Sequence, residues 1–420
     1  MATPAPPPPD VLSSEHIADP WPGLAILRDH YPVFFDEQTG CWLISRYDTV
    51  RELNRLLGPG ESFQELLGQY LADFRAFTAM DGADHRRRRT LLAPFFSRGG
   101  VEGYGASIEE VARGLLEPIF ERERKAVAAG ERERGEMDFI KEFTLGFTVT
   151  VMANMLGIEI DDQARLEEWF EAWIAAEGNI GRDPEIIARA LRTKQDFGEF
   201  IMPLIAERRR DGRGEDLLSR LCRAEIEGFS LCDEEIRSIV AGMLLGGGET
   251  TDHQLGWLLY ELIKQPDVQD ALAADRGLMD AVLGEGMRHC AIVQYFGLMT
   301  SEEMEVEGVR IGKDSPLALV LAAANHDPRR FENPDEFDIY RQDHDSSKAF
   351  NGSAEHMGFG TGAHFCIGSH LSKAEQQIAL ELLLDNVRDI RLAEGFEPRA
   401  NPEAVFVRAL PSLKISFELR

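Results

Sequence analysis

The sequence predicts a mainly α-helical protein with small peripheral β-sheets, and three observations carry that prediction. Apolar residues recur at helical spacing over most of the chain. Strand-like stretches are short and few. No Pro-, Gly- or Ser-rich linker interrupts residues 21–420, so they read as one domain in a chain of 420 residues with 44% hydrophobic content.

In chain order, MATPAPPPPD is a proline-rich extended arm, and residues 1–20 are expected to be disordered. PVFFDEQTGCWLIS, residues 32–45, reads as two short strands around a turn at Thr39 and Gly40, with a helix from about Asp48. Amphipathic helices are predicted around 84–96, 107–129, 139–156, 163–176, 184–210 and 233–264, bounded by Gly, Pro or charge clusters. The last would be roughly 45 Å long at 1.5 Å per residue, enough to cross the molecule. Strand patterns return at 304–311, 317–321 and 405–417.

A net charge of −28 repels nucleic acid and anionic membranes, which argues against both as partners. Cys41, Cys222, Cys232, Cys290 and Cys366 are far apart, odd in number and free of any CxxC pair, which fits a reducing cytoplasm. The N-terminus lacks the order of a signal peptide, and every long apolar stretch is broken by Gly or charge, so a cytoplasmic protein is expected.

The densest chemistry lies in GFGTGAHFCIGSHL, from Gly358. Gly360 and Gly362 suit a backbone with positive φ that approaches a flat partner closely. Behind Cys366, Ile367, Leu371, Ala374, Ile378 and Leu382 mark one buried helical stripe, which puts the sulfur at a helix N-terminus. Unpaired amides and the dipole stabilise a thiolate there, and Phe359 can cover the edge of the sulfur.

The pattern Phe359-Gly360-x-Gly362-x-His364-x-Cys366-x-Gly368 resembles, position by position, the haem-binding loop of the cytochrome P450 family. The resemblance extends from about Asp48 to the C-terminus. It implies the P450 fold, with haem b between the long central helix and the helix of the cysteine loop, and Cys366 as the ligand to iron. Phe359, Gly360, His364 and Gly368 would then be cofactor contacts. In DHRRRRTLLAPFF, His85 and Arg89 are four apart on one helical face, and the family uses such a pair for the haem propionates, with His364 as a third contact. Arg86, Arg87 and Arg88 would form an exposed basic cluster that docks an acidic ferredoxin.

Further elements agree. Three glycines, Gly246 to Gly248, each disfavour a helix interior by about 1 kcal/mol against Ala, so they signal a need for space. In Gly246-Gly247-x-Glu249-Thr250-Thr251 the resemblance makes Thr250 the hydrogen-bond donor to oxygen in the pocket and Glu249 the proton relay. Glu285 and Arg288 match the family's Glu-x-x-Arg helix, with Arg341 as third partner in a structural cluster. Two departures stand out. QYFGLMTS offers no Arg at Gly297 or Leu298, where many relatives hold a propionate, and the usual Pro after the Glu-x-x-Arg helix is absent, with Ala291 nearby.

The implied enzyme is a soluble, bacterial-type haem-thiolate monooxygenase that inserts one oxygen atom from O2 into a hydrophobic small molecule. Electrons would come from a separate ferredoxin and its NAD(P)H-dependent reductase. The alternatives are a peroxide-driven or oxidative-coupling member of the same fold, and a non-catalytic haem sensor. Candidate pocket residues are Phe63, Leu67, Tyr70, Leu71 and Phe74 in the first loop, with Leu244, Gly248, Val293, Phe296 and Phe406. Terpenoid, polyketide, steroid, fatty acid and small aromatic substrates stay open.

Overall fold

The computed structural model describes residues 5–58, 80–159, 163–177, 183–226 and 228–420. Phe63, Leu67, Tyr70, Leu71 and Phe74 lie outside the described residues.

The chain opens with α1 (Ser14–Ala18), whose first turn is capped by the Ser13 side chain, and α2 (Trp21–His30). The preceding arm lies against the body, the Tyr31 hydroxyl donating to the Pro6 carbonyl and a His16 ring nitrogen pairing with the Tyr295 hydroxyl at 2.9 Å. Strands β1 (Val33–Asp36) and β2 (Cys41–Ile44) form the expected hairpin, with Gly40 at φ +68°. Then come α3 (Tyr47–Leu56), α4 (Gly82–Phe96), α5 (Arg98–Glu102), α6 (Gly105–Ala128), β3 (Gly135–Asp138), a π-turn (Ile140–Thr144) leading into α7 (Leu145–Leu156), α8 (Gln163–Glu177), α9 (Pro184–Asp211) and α10 (Leu217–Arg223). A small hairpin, β4 (Glu225–Ile226) with β5 (Phe229–Ser230), precedes the central α11 (Asp233–Lys264). The remainder comprises α12 (Pro266–Ala274), α13 (Met279–His289), β6 (Tyr295–Met299), β7 (Met304–Val306), β8 (Val309–Ile311), β9 (Pro316–Val320), α14 (Leu321–Asn325), α15 (Ser369–Asn386), β10 (Val387–Leu392) and β11 (Lys414–Leu419).

The predicted helices are all present, and the sheets are peripheral as expected. One sheet has the order β1-β2-β9-β6 and another β10-β11-β3. The 304–311 pattern is a hairpin, not one strand, because Glu307 and Gly308 turn at positive φ. The 405–417 pattern is strand only from Lys414, with a single bridge between Val407 and Val293 before it. Strand β6 lies outside the strand patterns read from the sequence and pairs along its whole length with β9.

Helix α11 is buried on almost every side, which its all-round apolar sequence requires. Its glycines divide the work. A Cβ on Gly247 would sit 2.5 Å from the Met152 methyl, and one on Gly248 2.9 to 3.0 Å from Phe170 and Val149, so both permit close packing by α7 and α8. At Gly246 a Cβ would meet nothing, because that face is open. The need for space read from the three glycines is therefore two needs on two faces.

Candidate active site

The cysteine loop folds as its glycines dictate. Gly360 and Gly362 take φ of +65° and +72°, where a side chain would be strained. A Cβ on Gly362 would also press on Arg55 at 3.1 Å, so the loop docks against the end of α3. The Thr361 N–H donates to the Asn54 side-chain oxygen at 2.6 Å, and the Cys366 N–H to the Phe359 carbonyl at 2.9 Å, which closes the loop around the sulfur. The Phe359 ring packs with Phe350, His356 and Phe365. Helix α15 starts at Ser369, three residues after the cysteine, so the sulfur lies just ahead of its first turn. Burial pushes the Cys366 thiol up, while the Gly368 N–H and the Arg89 charge pull it down. The residue as a whole is nonetheless exposed.

Beside the loop, the His85 and His364 rings stack with centroids 4.1 Å apart, and the Arg89 guanidinium donates to the Phe365 carbonyl at 2.5 Å. A His364 ring nitrogen is 3.0 Å from Asp81. Burial, then the His364 and Arg89 charges, lower His85 to about 4, against a smaller opposing effect of Asp81. With His85 held neutral, the Arg89 guanidinium is the cation of this corner, and it favours a carboxylate neighbour. Arg88 departs from the reading as part of an exposed basic patch. It is buried, pairs with Glu235 and lies over the Phe229 ring, because residue 88 falls on the inner face of α4. Arg86 and Arg87 remain exposed.

In the middle of α11, Gly242 and Gly246 are exposed and Leu245 and Thr250 partly so, and together they form an accessible stripe. The Thr250 hydroxyl donates to the Gly246 carbonyl at 2.7 Å. Next to it, Thr251 reaches Ser372 on α15 at 3.1 Å, tying this turn of α11 to the helix that begins behind Cys366. Glu249 is buried, with its Oε1 lacking a well-aligned hydrogen bond. Leu244 and Gly248, read as pocket residues, lie instead on the packed face. Val293 and Phe406 do come together, through the Val293 to Val407 bridge and the Gln294 N–H to Phe406 carbonyl bond of 2.8 Å. Phe296 follows on β6 and is half-buried.

Both sequence departures have a physical form. Leu298 is buried in a core cluster opposite Leu317, and Gly297 has no side chain, so β6 presents no cation. Ala291 adopts φ +41°, which proline, fixed near −65°, could not. Glu285 and Arg288 form a bidentate pair at 2.6 and 2.8 Å, and Arg341 is 2.9 Å from the same carboxylate. Arg288 also donates to the Asn325, Pro334 and Glu336 carbonyls, which locks the segment from 325 to 341 onto α13.

The residues fit a haem. An exposed cysteine ahead of a helix, the Arg89 guanidinium beside the stacked His85 and His364 rings, and a glycine-lined open stripe on α11 provide the donor, the anchor and the clearance that the group needs. Sequence reasoning missed the polar face of α15, where Ser372, Glu375 and Gln376 are buried. Burial pushes the Glu375 carboxyl well above its ordinary range, against a smaller lowering by Thr251.

Among the described residues no helix is long and apolar enough to cross a membrane. The family model "Cytochrome P450" matches residues 69–416. Pulcherriminic acid synthase of Bacillus subtilis is 31% identical over 97% of both chains. The monooxygenase PikC of Streptomyces venezuelae is 30% identical, covering 91% of this chain and 87% of its own. Among solved structures, P450BioI in complex with a hexadec-9Z-enoic acid-ligated acyl carrier protein superposes with a TM-score of 0.83 at 25% identity, covering 96% of this chain and all of that one. CalO2 superposes with a TM-score of 0.81 at 27% identity, covering 97% and 98%. A family match over most of the chain, joined to the geometry of the cysteine loop, establishes that this chain belongs to the cytochrome P450 family of haem b-binding monooxygenases.

Proposed function

We propose that this chain inserts one oxygen atom from O2 into a hydrophobic small molecule, with Cys366 as the thiolate that would hold the haem iron. The observation that carries the reading is the pairing of an accessible cysteine, flanked by the Gly368 amide, with an open α11 stripe that ends at Thr250. Bound haem supplies the activation of oxygen and the oxidation of the substrate. The chain's own residues do the rest. Burial holds the Cys366 thiol up, and the Gly368 N–H and Arg89 offset part of that rise toward the thiolate. His85, Arg89 and His364 hold the propionates at the loop, without an arginine from β6. Thr250 turns its hydroxyl from the Gly246 carbonyl toward oxygen in the pocket, and Glu249 passes it a proton. Val293, Phe296 and Phe406 exclude water and position the apolar substrate. Glu285, Arg288 and Arg341 hold the fold around the loop and take no part in the chemistry.

The electrons come from a ferredoxin with an NAD(P)H-dependent reductase, and Arg86 and Arg87 on α4 are its contact on an otherwise acidic chain. The 31% identical relative is named for the synthesis of pulcherriminic acid, so the substrate of that enzyme is the first compound to try. Replacing Thr250 by Ala should leave haem binding intact and divert most electrons from product to hydrogen peroxide in a ferredoxin-driven assay. Full coupling in that variant rejects the assigned role.

A further inference from the structure

Glu249 does not stand alone on α11. One turn along, its Oε1 lies 3.4 Å from Nε2 of His253, and the other ring nitrogen, Nδ1, lies 3.4 Å from Oδ2 of Asp252. The second oxygen of Asp252 accepts from the Thr144 hydroxyl on the π-turn. From the C-terminal segment the Leu410 N–H points at Nδ1 at 3.4 Å, and Asp138 on β3 is the next charge toward Asp252. All three side chains are about nine-tenths buried or more, and among the described residues no Lys or Arg pairs with any of them.

With no extra proton, two carboxylates and a neutral imidazole would bury a net charge of −2, which the low dielectric strongly opposes. Even when Glu249 is ionised one proton is therefore retained, as a carboxylic acid on Asp252 beside a neutral ring whose Nδ1 faces the Leu410 N–H, and Glu249 carries a further proton before it donates. The 3.4 Å separations exceed the roughly 2.7–3.2 Å of a formed hydrogen bond, so this proton is not locked to one oxygen. Burial pushes Asp252 up to about 6. Burial pulls His253 down, but the neighbouring carboxylates of Glu249 and Asp252 outweigh it and raise the imidazole.

We propose that His253 and Asp252 form a proton reserve behind Glu249, with His253 as the positioning residue that recharges it. When Glu249 has given up its proton, the Nε2–H bond breaks and an O–H bond forms on Glu249, while the O–H bond of Asp252 breaks and an N–H bond forms at Nδ1. The cluster then carries one negative charge more, until a proton returns. This rests on the role of Glu249 given above, and the experiment separates the two.

The experiment uses the haem-loaded, substrate-free protein. Infrared difference spectra recorded along a pH titration should show a protonated-carboxyl band that disappears with a midpoint near pH 6. The band should be lost in Asp252→Asn and moved in His253→Asn. Wild-type spectra lacking any such band overturn the proposal without need of a variant. In parallel, NADPH-driven reduction of O2 through a surrogate ferredoxin system is timed in H2O and D2O. Both variants should slow it about tenfold, less than the roughly 10²-fold of a directly acting general acid, and raise the solvent isotope effect. If Glu249→Gln is slow while both variants match wild type, the reserve is rejected and the role of Glu249 stands. If Glu249→Gln is as fast as wild type, the role of Glu249 falls as well.

Discussion

The buried charges around Glu285 and those around His253 are built in opposite ways. Around Glu285 every group is matched: Arg288 grips the carboxylate with two bonds, Arg341 adds a second cation, the Asp338 N–H adds a further donor, and three carbonyls take the remaining Arg288 hydrogens. Around His253 no arginine or lysine takes part among the described residues, contacts stand at 3.4 Å, and a carboxyl titrates near 6. A saturated network fixes geometry and has no proton to spare. A loose one is costlier to bury, and that is what leaves its proton movable.

The largest effect expected from this contrast is at Arg288. Its replacement by Ala leaves Glu285 buried beside Arg341 alone and strips three carbonyls, a loss of about 3–5 kcal/mol for a broken buried pair. Urea unfolding of the haem-loaded protein measures it, and a loss under about 1 kcal/mol would erase the distinction between the clusters.

Asp252→Asn should act with the opposite sign. The Asp252 carboxyl has a folded-state value of about 6, above its ordinary 3.8, so its contribution is fully present below pH 3.8 and is lost as pH rises to 6. Asparagine keeps an oxygen for the Thr144 hydroxyl and avoids the buried charge. The variant should match wild type near pH 4 and exceed it above pH 6, by at most about 3 kcal/mol for that rise at 1.36 kcal/mol per pH unit. Thermal melts at pH 4, 6 and 8 read this directly, and a variant less stable than wild type at pH 8 contradicts it.

A smaller effect separates the two faces of α11. Gly248→Ala forces a methyl against Phe170 and Val149 and should destabilise by about 1–3 kcal/mol. Gly246→Ala meets open space and should stabilise by up to about 1 kcal/mol through helix propensity. Equal melting shifts for the two would mean that the faces do not differ.

The saturated cluster was legible in the sequence and the loose one was not. Glu285 and Arg288 are three apart, a spacing that pairs opposite charges on any helix, and the cysteine loop announces itself through glycines that only positive φ requires. His253 and Asp252 sit in a run where burial comes from tertiary packing on every side, and no periodicity marks a polar residue as buried there. The same blindness hid Glu375 and Gln376, since the apolar stripe from Ile367 to Leu382 directs attention to a neighbouring face of α15. Among four consecutive arginines, composition could not say that Arg88 turns inward to Glu235. Leu244 and Gly248 are packed where Leu245 and Gly246 are accessible, because the apolar and small residues of this stretch of α11 lie on every side and give no clue to which face is open.

The account turns on the sulfur of Cys366, and one spectrum tests it most directly. The dithionite-reduced carbon monoxide complex of the wild-type protein should show the red-shifted Soret band of thiolate ligation, and Cys366→Ser, with haem still bound, should lose that band entirely. An unchanged band in the serine variant would contradict the assignment.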